Sequence, residues 1–76
     1  MIRITKTVVN AQGCVVDRLT LPIEFESSSH ANRFMGEYVA RLFVDGASGY
    51  DRWGDYWWGC DGGDEIAIHR YVLEDN

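Results

Sequence analysis

The sequence predicts an α+β fold in the order ββαββ, with a four-stranded, mainly antiparallel sheet and one helix packed on one face. Three observations lead to this fold class: period-2 alternation near the N-terminus, a 3.6-residue apolar period in the middle, and an aromatic-rich hairpin pattern near the C-terminus. With 76 residues, the chain is expected to form a single domain over 1–76.

Two strands joined by a tight loop are expected first. Ile2, Ile4 and Val8 share one parity, which is typical of a strand with one buried face. Residues 10–13 resemble a hairpin loop, whose Gly13 can adopt a positive φ. The second strand alternates as far as residue 25, and Pro22 within it favours an edge position or the frayed end of the strand.

A helix is expected from about residue 28 to 45. The serines at 27–29 offer side-chain oxygens to the unpaired N–H groups of a helix start. Gly46 is a natural stop after the last turn. The apolar stripe falls at i, i+3, i+4, i+7 and i+11, on Ala31, Phe34, Met35, Tyr38 and Leu42.

The C-terminal part is expected to be a long loop followed by a hairpin. Residues 46–54 contain three glycines and are predicted to be a loop. Residues 56–58, Tyr-Trp-Trp, favour a third strand. A turn over 61–64 and a closing strand over 66–73 complete the predicted sheet.

The net charge of −5 is unevenly distributed. Residues 1–44 carry five basic and four acidic side chains, and residues 45–76 carry two basic and eight acidic ones, which gives +1 and −6. The negative half is expected to repel nucleic acid and anionic membranes and to attract a basic protein. No apolar run is long enough for a membrane span or a signal peptide, so a cytoplasmic protein is expected.

The sequence contains no recognisable catalytic or metal-binding motif. Cys14 and Cys60 lie far apart without a CxxC pair, and we expect reduced thiols. His30 and His69 lack a second ligand at metal spacing. The run 61–65 lacks the ligand alternation of a calcium loop. We therefore expect no metal, no cofactor and no enzymatic activity.

Neighbouring aromatic residues offer the main functional signal. Adjacent strand residues point to opposite faces, so one of Trp57 and Trp58 is expected under the helix and the other on the uncovered face. An outward Trp would anchor a partner protein, either a basic protein or a second copy of the chain. Alternatively, segment 46–54 folds back over the open face and buries these rings. The candidate partner-binding residues are Tyr50, Asp51, Trp53, Asp55, Trp57, Trp58, Asp61 and Asp64.

Two resemblances accompany these predictions. Gly49-Tyr50, followed by the Tyr-Trp-Trp of 56–58 and a short acidic hairpin, resembles a pattern of small uncharacterised bacterial ββαββ proteins. This resemblance implies the fold but carries over no functional residues. In size and charge the chain also resembles phage-encoded anti-CRISPR inhibitors, which implies an alternative function: an acidic surface that occupies the basic nucleic-acid-binding groove of a target.

Overall fold

The computed structural model describes residues 1–62 and 67–75. One helix packs on a single antiparallel sheet whose strand order is β2-β1-β5-β4-β3. The elements in chain order are β1 (Ile2–Val9), β2 (Val15–Phe25), α1 (Ser28–Leu42), β3 (Ala47–Asp51), β4 (Tyr56–Cys60) and β5 (Ile68–Asp75). The predicted α+β class with one helix is confirmed.

The predicted number of strands is wrong, because the described residues form a sheet of five strands with the element order ββαβββ. The missed strand, β3, lies in segment 46–54, which the sequence predicted to be a loop. It pairs with β4 from Ala47 opposite Cys60 to Asp51 opposite Tyr56. The alternative in which this segment folds back over the open face is therefore also wrong, since β3 extends the sheet sideways.

Helix α1 begins where the serine run predicts and ends three residues before the predicted position. The Ser27 hydroxyl accepts a 3.3 Å hydrogen bond from the N–H of His30 and caps the helix start. After Leu42 the chain leaves the helical conformation at Phe43, whose φ and ψ are −110° and 37°. Within residues 1–62 and 67–75, no helix has the length and apolar character needed to cross a membrane.

The core lies between α1 and the central strands. Its buried side chains come from β1, from one stripe of α1, from the residue after α1, and from β5: Ile4, Met35, Val39, Phe43 and Tyr71. The helix lies closer to β3 and β4 than to β2. Strand β2 is one edge of the sheet, as Pro22 predicts, and its apolar side chains Val15, Leu19 and Ile23 remain exposed.

The strand register assigns the side chains to the two faces of the sheet, because directly opposed residues share a face. One row across the sheet consists of Leu19, Lys6, Tyr71, Trp57 and Tyr50. The adjacent row consists of Arg18, Thr7, Arg70, Trp58 and Gly49. The first row contains buried Tyr71 and faces the helix. The prediction that the two neighbouring indoles point to opposite faces is thus confirmed, with Trp58 on the uncovered face.

Candidate functional site: the tip of the β3–β4 hairpin

Residues 52–55 connect β3 to β4 in a turn organised by one carboxylate. Oδ1 of Asp51 accepts hydrogen bonds from the N–H groups of Trp53 (2.9 Å) and Gly54 (3.1 Å). The N–H of Asp55 donates to the carbonyl of Asp51 at 2.9 Å. Asp55 itself has a φ of 57°, in the left-handed region that Asp tolerates better than most residues. The backbone of the tip is therefore fixed before any partner binds.

Two of the acidic side chains predicted to bind a partner also stabilise this turn. Hydrogen bonds from the N–H of Gly54 and then from the Tyr56 hydroxyl lower the pKa of Asp51. The Tyr50 hydroxyl donates to Oδ1 of Asp55, and this hydrogen bond raises the pKa of Tyr50. Both carboxylates thus have partners within the hairpin.

Trp53 lies at the end of this hairpin and packs against no other residue in the described part of the chain. Its side chain is 99% exposed, although its N–H is held by Asp51. Arg52 precedes it, is also exposed, and forms no ion pair with any residue in the described part of the chain. The tip therefore presents an indole and a guanidinium side by side to solvent.

Trp57, in contrast, attaches the hairpin to the helix. Its Nε1 donates a 2.9 Å hydrogen bond to Oδ1 of Asn32. Its Cη2 lies against Gly36, 3.4 Å from the position that a Cβ would occupy there. Its ring centroid is 5.1 Å from that of Tyr50. These contacts give Trp57 a structural role beneath α1.

Trp58 is half-buried on the uncovered face and packs across the edge strand. Its Nε1 and Cζ2 lie 3.4 Å from where a Cβ on Gly49 would be, so the indole covers the strand position that lacks a side chain. Beside it, the guanidinium of Arg70 lies 5.1 Å from the ring centroid of Tyr56. Trp58 is therefore less available to a partner than Trp53.

The structure does not gather all the predicted partner-binding residues into one surface. It brings together those of the tip: Tyr50, Asp51, Trp53 and Asp55. Asp61 follows β4 at the opposite end of the hairpin and is exposed. Asp64 lies outside the described residues. Over 1–62 and 67–75, no three His, Cys, Asp or Glu side chains are grouped as metal ligands would be.

A second surface, which the sequence did not predict, is a groove on the flank of α1. It has a volume of about 460 Å³ and is lined by Phe34, Glu37, Tyr38, Arg41 and Leu42. A helix about 10 Å wide cannot cover five strands spaced about 4.8 Å apart. The flank towards β2 therefore stays open, and Leu42 and Leu19 are 50% and 52% exposed. Leu42 ends the predicted apolar stripe, which is the only signal for this groove in the sequence.

The geometry of the tip is suited to noncovalent recognition. Trp and Arg are enriched among the residues that dominate binding energies at protein interfaces. A turn that is already ordered loses less conformational freedom on binding than a flexible loop does.

No family model matches the chain, and it has no significant match among curated proteins or solved structures.

Proposed function

We propose that this chain is a non-enzymatic protein-binding module that uses Trp53 at the β3–β4 tip as its anchor. The supporting observation is a fully exposed indole on a turn fixed by Asp51. Burial of an aromatic side chain of 150–250 Å² stabilises a complex by roughly 4–6 kcal/mol as an upper bound. In the free protein this indole is not buried, so the stabilisation from its burial can be gained when a complex forms.

The proposal is tested by affinity capture from the native host with wild-type and Trp53→Ser chains as baits. Val44→Ser is the matched control, because Val44 is 75% exposed and lies outside the hairpin. We expect both variants to keep the wild-type free energy of unfolding within about 0.5 kcal/mol, as exposed positions usually do. Only Trp53→Ser should lose the captured partner. Equal capture by the wild type and Trp53→Ser would refute the proposal.

A second candidate function is inhibition of a basic nucleic-acid-binding protein. The observation that favours it is the presence of exposed carboxylates at both ends of the hairpin, Asp55 at the tip and Asp45 and Asp61 at the opposite end. Exposed carboxylates can compete with the phosphates of DNA or RNA for basic side chains. We expect the chain to compete with nucleic acid for the captured target, and we expect this competition to weaken as the salt concentration increases. Competition that is unchanged at high salt would contradict this version.

A further inference from the structure

We propose that the tip of one copy binds the helix-flank groove of a second copy, with Trp53 inserted beside Phe34, Tyr38 and Leu42. This inference rests on the proposed function and names its partner. Both surfaces belong to the same chain, and within residues 1–62 and 67–75 both stay open to solvent at Trp53 and Leu42. The tip presents an indole that is 99% exposed, and the groove presents apolar side chains that the single helix leaves uncovered.

The groove matches an indole in size and in chemistry. An apolar cavity of about 150 Å³ holds a benzene ring, so a groove of about 460 Å³ has room for the larger indole. The rings of Phe34 and Tyr38 stack with centroids 5.4 Å apart and planes at 26°. A third ring can pack against their faces or edges. Glu37, an exposed lining residue, offers an acceptor for the indole N–H.

The charges of the two surfaces are complementary. Arg52 flanks the anchor and Asp55 follows it in the turn, while Glu37 and Arg41 line the groove. Neither Glu37 nor Arg41 forms an ion pair with another residue of the described ranges. Each surface thus offers one acidic and one basic side chain, so that Arg52 can pair with Glu37 and Asp55 with Arg41 across the contact.

The contact has to form between molecules. Trp53 is 99% exposed in its own chain, so its indole does not occupy the groove of the same molecule. A head-to-tail contact between different surfaces generates open chains or closed rings. A contact made by one indole in one groove is small, and small interfaces are typical of weak complexes. We therefore expect a dissociation constant of roughly 0.1–1 mM.

Complementing variants give the decisive test by sedimentation equilibrium. Trp53→Ser removes the anchor and leaves the groove, whereas Leu42→Glu blocks the groove and leaves the anchor. We expect the wild-type mass to rise with concentration, each variant alone to stay monomeric, and their equimolar mixture to form a one-to-one dimer and nothing larger. Val44→Glu adds the same charge two residues away at an exposed position and should associate like the wild type.

Indole N–H resonances in a concentration series identify the contact. The Trp53 signal should shift as the concentration rises, while the Trp57 signal, whose N–H is bonded to Asn32, should stay in place. A wild-type chain that is monomeric at 1 mM, or a variant mixture without dimers, overturns the inference. If self-association is refuted but the wild-type chain captures another protein and Trp53→Ser does not, the binding-module proposal stands. If capture is independent of Trp53, both proposals fail.

Discussion

The ring of Phe43 lies directly on Gly59: a Cβ at Gly59 would stand 2.1 Å from Cδ2 of that ring. Gly36 faces the ring of Trp57 in a different way, because a Cβ there would be 3.4 Å from Cη2, at ordinary contact distance. The absence of a side chain is therefore required for packing at Gly59 but not at Gly36.

The substitutions Gly59→Ala and Gly36→Ala should have opposite effects. Gly59→Ala overpacks the core at Phe43 and should destabilise the fold by about 1–3 kcal/mol. Gly36→Ala introduces a better helix former without a collision and should stabilise it by about 0.5–1 kcal/mol. Urea denaturation of the two variants measures both changes. Wild-type stability in Gly59→Ala would contradict the described packing of Phe43.

Asp51 should titrate below an ordinary aspartate. Hydrogen bonds from the N–H of Gly54 and the hydroxyl of Tyr56 lower its folded-state pKa, so its contribution to stability is fully present above the unfolded-state pKa. That contribution is lost as the pH falls through the lower, folded-state pKa. Carboxyl ¹³C shifts measure the titration, and the Trp53 amide signal should move with it. An ordinary pKa for Asp51 would show that the turn is not held by its carboxylate.

His69 should make the fold less stable in mild acid. Burial and then nearby Lys6 lower its pKa, although Asp61 opposes the shift. Because the unfolded chain binds this proton more readily, stability is complete above about pH 6.5 and falls as the pH drops towards the folded-state pKa. The urea midpoint should decrease from pH 7.5 to pH 5, and His69→Gln should reduce that decrease. His30→Gln, at an exposed helix position, is the control for the substitution itself.

Tyr71 should tolerate the loss of its hydroxyl. Burial raises its pKa to about 12, and its hydroxyl has no hydrogen-bond partner among the described residues. Tyr71→Phe keeps the edge-to-face contact with Tyr38, whose centroid is 5.8 Å away. We expect unchanged stability or a gain of up to about 1 kcal/mol, because an unsatisfied buried group is removed. A loss of more than about 1 kcal/mol in urea denaturation would show that the hydroxyl has a partner.

Local patterns predicted most of the fold. The alternation in β1, the serine cap and the helical stripe each led to the correct element, and Gly13 has a φ of 83° as its loop requires. The missed strand, β3, contains Gly49, which has no side chain to pack. The indole of Trp58 from the neighbouring strand covers this position and compensates for the missing side chain. Such compensation depends on strand pairing, which a local glycine count cannot detect.

The candidate site was predicted only in part, because its accessibility depends on tertiary structure. The period-2 rule placed Trp57 and Trp58 on opposite faces, but it could not show that Trp58 packs over Gly49. Likewise, Asp51 and Asp55 looked like free surface charges, whereas each accepts hydrogen bonds within the turn. The exposure of Trp53 follows from its position in the β3–β4 turn, and the groove beside Leu42 follows from where the helix lies across the sheet.

The most direct test is calorimetric titration of the captured partner with wild-type and Trp53→Ser chains of equal stability. Loss of a dominant interface side chain costs about 2 kcal/mol or more, so the dissociation constant should rise roughly 30-fold or more. Equal dissociation constants for the two chains would show that the exposed indole is not the anchor.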